Sequence, residues 1–154
     1  MTLFRLPALA QDFSGAAQKK PEITGIIAGA FDLCHPGHLL AFAQAKSMCD
    51  KLIVGLHTNP KFDRPEKNMP LESVFERWMR LKNCAHVDEI IPYDTERDWR
   101  NILHTVAWDV RFLDEEYKGK TFTGHDIRPD NIIYLPRQHD FSSSNLRKKL
   151  DGPK

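Results

Sequence analysis

Hydrophobic positions along this chain follow two alternating spacings, one typical of buried strands and the other of amphipathic helices. Short aliphatic runs, such as residues 23–28 and 51–56, predict strands that are buried on both faces. Between these runs, apolar residues recur three and four positions apart, which predicts helices with one buried face. The predicted strands are 23–28, 51–56, 88–92, 110–113 and 131–135, and the predicted helices are 38–49, 71–84, 95–106 and 142–150.

The regular alternation of strands and helices predicts an α/β domain with a five-stranded, mostly parallel sheet and right-handed crossovers. Thr95 is expected to cap the third helix. Ligands of such sheets bind beyond the carboxyl ends of the strands, so the turn at residues 29–38 is the first candidate for a site. On the second helix the expected buried face consists of Val74, Phe75, Trp78 and Leu81.

The turn at residues 29–38 has the backbone and the side chains that a phosphate group needs. Gly29 and Gly37 allow a ligand to approach the backbone because no Cβ intervenes, and the helix start offers unpaired N–H groups. His35 and His38 add two imidazole donors. Histidines at this spacing are more often a cap and a core residue, but the preceding strand and the Gly-x-Phe-Asp sequence favour phosphate binding. Metal binding by Cys34 with both histidines is a less favoured alternative.

A second segment with phosphate-binding chemistry follows the fifth predicted strand. Ser142, Ser143 and Ser144 precede a helix, where hydroxyl groups can cap the helix or donate to phosphate oxygens. Arg137 and Arg147 have forked guanidinium donors that match phosphate geometry. By itself this segment is better explained as a serine-capped helix with surface arginines. Because both segments follow strands at the same sheet edge, we expect them to face one triphosphate.

Basic residues after the second and third strands form a weaker group. Such side chains are usually solvated, but here they are candidates for binding a second, phosphorylated substrate. These candidates are Lys61, Arg64, Lys67, Arg77, Arg97 and Arg100.

Size and charge limit the classes of function. The chain has 154 residues, which suits one domain, and its formal net charge of +1 gives no general attraction to nucleic acid or to anionic membranes. No apolar run is long enough to span a bilayer. Three cysteines without a C-x-x-C pair argue against a disulfide framework and favour a cytoplasmic location. Arg5 and Pro7 interrupt the first apolar stretch, so residues 1–21 are interpreted as an N-terminal extension and 22–154 as the domain.

The two segments together resemble the nucleotidyltransferase superfamily that carries the HxGH and S-[ST]-[ST]-x-[IL]-[KR] motifs. Within it, the chain is most similar to glycerol-3-phosphate cytidylyltransferase and related cytidylyltransferases. The sequences Val-Asp-Glu-Ile-Ile-Pro at 87–92 and Tyr-Leu-Pro-Arg at 134–137 support this resemblance, which covers residues 24 to 150. Residues 114–117 and 138–140 depart from the sequence pattern of this family. These differences bear on the identity of the acceptor substrate and, to a lesser degree, on the identity of the base.

The resemblance implies a Rossmann-like, three-layer fold, a homodimer, CTP as the nucleotide and Mg²⁺ as the cofactor. It implies catalytic roles for His35, His38 and Arg137. It also implies that Ala30, Phe31, Ser142, Ser143 and Ser144 bind the nucleotide. The close backbone approach at the turn adds Gly29 and Gly37 to the expected nucleotide-binding residues. Lys67 and Arg100 match family lysines only loosely, and with Arg77 they are the expected substrate-binding residues.

The expected reaction is direct nucleotidyl transfer. A phosphate oxygen of an acceptor such as glycerol 3-phosphate attacks the α-phosphorus of CTP, and pyrophosphate leaves. No serine or cysteine needs activation, so catalysis reduces to positioning and to stabilising charge on the phosphate. Two alternatives are an adenylyltransferase acting on a sugar phosphate and a nucleotide-binding module without turnover.

Overall fold

A computed structural model describes residues 20–150 and 152 of the chain. The predicted N-terminal extension therefore lies outside the described residues, apart from positions 20 and 21. The strands are β1 (Thr24–Gly29), β2 (Lys51–His57), β3 (Glu89–Tyr93), β4 (Val110–Asp114) and β5 (Ile132–Leu135). The helices are α1 (Pro36–Lys46), α2 (Val74–Lys82), α3 (Glu96–Thr105) and α4 (Ser143–Leu150).

The five strands form one sheet in the order β3-β2-β1-β4-β5, and every neighbouring pair is parallel. This confirms the predicted α/β class and the Rossmann-like architecture. From β1 the chain moves outward to β2 and β3, and it then returns to β4 on the other side of β1. The change of direction opens a crevice at the carboxyl ends of β1 and β4, where ligands of such sheets bind.

Hydrophobic cores cover both faces of the sheet. Ile26 and Ile27 are adjacent in β1 and therefore point to opposite faces. Ile27 belongs to a cluster with Phe42 of α1 and Leu81 of α2. Ile26 belongs to a second cluster with Trp99 of α3. The result is three layers, with α1 and α2 on one face and α3 on the other.

Capping residues explain where three of the helices begin. The side chain of His35 accepts a hydrogen bond from the backbone of Gly37, so α1 starts at Pro36, two residues before the predicted start. Ser73 and Glu76 form a capping box, which starts α2 three residues later than predicted. Thr95 caps α3 in the same way, as predicted.

The prediction for the buried face of α2 was partly wrong. Leu81 is buried, but Phe75 is 69% exposed and Arg77 is only 1% exposed. The helix is rotated relative to the expected orientation because the Arg77 guanidinium is surrounded by backbone carbonyl groups, which the sequence pattern does not show.

Candidate active site

The turn between β1 and α1 has an unusual backbone conformation, which hydrogen bonds from the loop before α2 stabilise. Phe31 and Leu33 both adopt a left-handed conformation, with φ of 49° and 50°, which non-glycine residues rarely occupy. Between them, the buried Asp32 carboxylate accepts hydrogen bonds from the backbone N–H groups of Leu71, at 3.0 Å, and Glu72, at 2.9 Å. Such conformations persist when the surrounding structure enforces them, and they cluster at functional sites.

His35 and His38 have the same tautomer, set by the backbone. His35 Nδ1 accepts a hydrogen bond from the N–H of Gly37 at 3.1 Å, and His38 Nδ1 accepts one from the N–H of His35 at 3.4 Å. The proton of each neutral ring is therefore on Nε2. The two rings stack with their centroids 3.9 Å apart. This arrangement leaves two parallel Nε2–H donors at the start of α1.

Both histidines are neutral near pH 7. Burial and, next in size, the neighbouring His35 together lower the pKa of His38 to about 3. The pKa of His35 is also lowered, first by burial and then by the neighbouring side chains of His139 and Arg137. An anionic ligand would oppose both shifts because it stabilises the protonated form.

The serine segment converges on the same turn, as the sequence predicted. Ser143 Oγ donates to the carbonyl oxygen of Asp32 at 3.0 Å. Arg147, one turn further along α4, pairs with the Asp32 carboxylate. Asp32 therefore joins three separate segments, namely the β1–α1 turn, the loop before α2 and helix α4.

A cavity of about 440 Å³ lies at this meeting point. Ten of the thirteen residues predicted for the site line it, with the two histidines and Arg137 among them. They are Gly29, Ala30, Phe31, His35, Gly37, His38, Lys67, Arg137, Ser142 and Ser143.

Three predicted site residues do not line this cavity. Arg77 is buried, and its guanidinium donates to the carbonyls of Glu72, Ala30, His57 and Thr58 at 2.5–3.1 Å. Its predicted contact with a substrate phosphate does not fit, because these donors are already engaged by the backbone. Arg100 pairs with Asp126 and lines a neighbouring cavity, and Ser144 is exposed and does not line the main cavity.

The metal alternative at the turn also lacks support. Within residues 20–150, no three His, Cys, Asp or Glu side chains come close enough to form a metal centre, and this applies to Cys34 with His35 and His38. Both Nδ1 atoms are occupied by backbone N–H groups, and burial raises the pKa of the Cys34 thiol, which disfavours the thiolate that a metal requires.

Sequence reasoning missed a polar group at the other end of the cavity. Glu96, the first residue of α3, pairs with Arg64 at 3.4 Å and lies 3.7 Å from His57 Nδ1. Thr123 Oγ1 donates to the second carboxylate oxygen of Glu96. We refer to Glu96, His57, Arg64 and Thr123 as the Glu96 cluster. Its members lie on four separate segments, so no local motif could reveal it.

The Glu96 cluster connects the main cavity with a second one. Glu96, Arg64 and Thr123 line both cavities. The second cavity, of about 640 Å³, is bordered by Arg97 and Arg100 of α3 and by residues 121–125 of the β4–β5 connection. A ligand that occupies the histidine end therefore has room to extend past Glu96 towards a basic rim.

Comparison with known proteins assigns the chain to a family. A family model described as cytidylyltransferase-like matches residues 26–149, a range that includes most of β1, the histidine turn and most of α4. The chain therefore belongs to the cytidylyltransferase-like family. None of its described helices is long and apolar enough to cross a membrane.

Two relatives differ in how much of their own length this chain covers. Glycerol-3-phosphate cytidylyltransferase of Bacillus subtilis strain 168 is 29% identical over 131 residues, which cover 80% of this chain and 94% of the relative. The bifunctional protein HldE of Caulobacter sp. strain K31 is 35% identical over 133 residues, which cover 84% of this chain but 27% of the relative. The chain thus spans about a quarter of the length of that HldE relative.

The fold is shared with solved structures of lower sequence identity. A lipopolysaccharide core biosynthesis protein from Thermoplasma volcanium GSS1 superimposes with a TM-score of 0.60 at 19% identity, covering 79% of this chain and all of the other. This likeness concerns the fold alone.

Proposed function

We propose that this protein transfers CMP from CTP to a phosphorylated alcohol, such as glycerol 3-phosphate, and releases pyrophosphate. The observation that carries the proposal is the convergence of the two imidazoles with Arg137 and the serine hydroxyls in one cavity. The similarity to a glycerol-3-phosphate cytidylyltransferase over most of both chains supports the cytidylyl group and the acceptor.

The site suits transfer without a covalent enzyme intermediate. A phosphate oxygen of the acceptor forms a bond to the α-phosphorus as the bond to pyrophosphate breaks. The Nε2–H groups of His35 and His38 donate to phosphate oxygens on which negative charge increases in the transition state. The N-terminus of α1 adds its dipole at the same place, and Arg137 and Ser142 complete the set of donors from the opposite segment.

The residues of the cavity fit a Mg²⁺ ion that arrives with the triphosphate. Asp114, at the carboxyl end of β4, lines the cavity and is its candidate protein ligand. Magnesium sites of this type use one or two carboxylates and take their other ligands from phosphate and water. When bound, the ion neutralises part of the phosphate charge.

The Glu96 cluster suits the hydroxyl groups of the acceptor. A carboxylate accepts strong hydrogen bonds from hydroxyl donors and repels a second anionic group in a partly buried site. Lys67 lines the same cavity and supplies positive charge for the acceptor phosphate. The acceptor would then lie with its phosphate towards the histidines and its hydroxyls towards Glu96.

A second candidate function is adenylyl transfer to a sugar phosphate. The 35% identity with the HldE relative favours it, and the continuation of the cavity past Glu96 leaves room for an acceptor larger than glycerol phosphate. Both candidates use the same chemistry at the α-phosphorus, so they differ only in the base and the acceptor.

Pyrophosphate release distinguishes the two candidates. CTP and ATP should each be paired with glycerol 3-phosphate, other phosphorylated alcohols and sugar 1-phosphates, and the nucleotide products identified by mass spectrometry. We expect turnover with CTP and a phosphorylated alcohol, because the related enzyme matches over most of its length. Turnover only with ATP and a sugar phosphate would establish the second candidate instead. Nucleotide binding without turnover on any pair would indicate a binding module.

We also propose that the protein is a homodimer that associates through α2. Phe75 and Met79, four positions apart in α2, are 69% and 40% exposed, and Leu71 in the loop before the helix is 60% exposed. We refer to these three residues as the apolar stripe. Neighbouring Met69 and Val74 extend it. Monomeric proteins rarely expose a continuous apolar surface of this kind.

Sedimentation analysis tests the dimer. We expect the wild-type protein to sediment as a dimer and Phe75→Glu to sediment as a monomer, since a charge in the stripe would be buried without a partner on association. Leu40→Glu, at an exposed leucine of α1, is the control and should remain dimeric. A wild-type monomer at micromolar concentration would contradict the proposal.

A further inference from the structure

A third imidazole lies beside the histidine turn, and the predicted machinery does not use it. His139, in the segment between β5 and α4, lines the same cavity as His35 and His38. The Nδ1 atom of His139 is buried and has no hydrogen-bond partner among the described residues. By contrast, Nδ1 of each of the other two imidazoles is bound by a backbone N–H group.

Gly37 provides the space for this ring. A Cβ at position 37 would lie 2.5 Å from His139 Cε1 and 2.9 Å from His35 Nδ1, well inside contact distance. The glycine between the two motif histidines therefore admits two imidazoles, one from each segment, to the first turn of α1. The ring of Phe141 packs against the His139 ring, with the two centroids 5.4 Å apart.

We propose that His139 is a third phosphate-binding imidazole, which donates a hydrogen bond to the triphosphate of the bound nucleotide. A polar atom that is buried without a partner costs free energy. Because His139 lines the cavity, a rotation of its ring on ligand binding would turn a nitrogen towards a phosphate oxygen and remove this cost. The ring lies at the N-terminus of α1, where the dipole attracts anions. His139 is also close enough to His35 to lower the pKa of that residue, and the two side chains line the same cavity.

The alternative is a purely structural role, in which His139 only fills the space between Gly37 and Phe141. Phenylalanine at position 139 retains a planar ring and removes both nitrogen atoms. Glutamine retains a donor and removes the ring. The two variants therefore separate hydrogen bonding from packing.

Binding of inorganic tripolyphosphate, measured by calorimetry, tests the proposal. We expect His139→Phe to bind it about 10- to 100-fold more weakly than the wild type, the loss typical of one hydrogen bond to a charged group, and His139→Gln to recover part of the affinity. His104→Phe, at an exposed histidine of α3, should bind normally. Wild-type affinity in His139→Phe would overturn the proposal.

Nitrogen NMR of the wild-type imidazoles gives a second measurement. It uses the wild-type protein, and a variant at position 139 is needed only to assign the resonances. Addition of tripolyphosphate should shift the ring nitrogen resonances of His139 together with those of His35 and His38. Shifts of His35 and His38 without any change at His139 would overturn the proposal. The inference rests on the proposed function for the identity of the nucleotide. Because tripolyphosphate has no base and no transferable nucleotidyl group, a negative transfer assay would contradict that function without affecting this test.

Discussion

His38→Ala should lower kcat/KM for nucleotidyl transfer by about 10²–10³, the loss typical of removing one preorganised donor to a developing negative charge. His38 is neutral near pH 7, with its pKa lowered to about 3 by burial, and its Nδ1 is engaged by the N–H of His35. The remaining Nε2–H is therefore already oriented, and no reorganisation precedes the reaction. Steady-state pyrophosphate release measures the effect.

The same variant should fold. Loss of the capping contact to His35 costs about 1 kcal/mol, which is small beside the stability of a domain. His104→Ala, at an exposed histidine of α3, is the matched control and should retain full activity. If His38→Ala kept most of its turnover, the assigned role in transition-state stabilisation would be wrong. His38→Gln, which retains a donor, should lie between the alanine variant and the wild type.

Arg77→Met should destabilise the protein by about 3–5 kcal/mol, among the larger effects of single substitutions. Its guanidinium is 1% exposed and connects α2 with carbonyls at the ends of β1 and β2. Methionine fills a similar volume but leaves those buried carbonyls without donors. For a chain of this length, the melting temperature should fall by roughly 10 °C.

Arg80→Met is the control for this effect, since Arg80 lies on the same helix but is 57% exposed and pairs with Glu72. Its melting temperature should change little, because surface ion pairs contribute about 1 kcal/mol or less. If Arg77→Met melted like Arg80→Met and lost only affinity for the acceptor phosphate, the contact predicted from the sequence would be right and the structural role wrong.

The sequence could not predict which of Arg77 and Lys67 lines the cavity. Both are basic residues that follow β2 in the chain, and both are predicted from the sequence to bind the substrate. Lys67 lines the cavity, whereas Arg77 is enclosed by carbonyls of Ala30, His57 and Thr58. The difference depends on how α2 is rotated against the sheet, which is a property of the packed molecule.

The role of Asp32 also depends on contacts that the local sequence does not show. Its place in the Gly-x-Phe-Asp sequence indicated a turn near phosphate. Its hydrogen bonds to Leu71 and Glu72 and its pairing with Arg147 join segments that are about 40 and 115 positions away along the chain. Long-range contacts of this kind leave no periodic pattern, so only the coordinates reveal that Asp32 fixes the geometry of the site.

The sequence by itself determined the order of strands and helices, the parallel sheet and the two candidate phosphate-binding segments, because these depend on short-range spacing and on the chirality of βαβ connections. Tertiary structure decided that Arg77 is buried and donates to backbone carbonyls at the ends of β1 and β2. It also decided that the four members of the Glu96 cluster form one polar group, and that His139 lies with the other imidazoles beside Gly37. Each of these depends on side chains from distant segments meeting in space, and their positions follow from packing and hydrogen bonding rather than from neighbours in the chain.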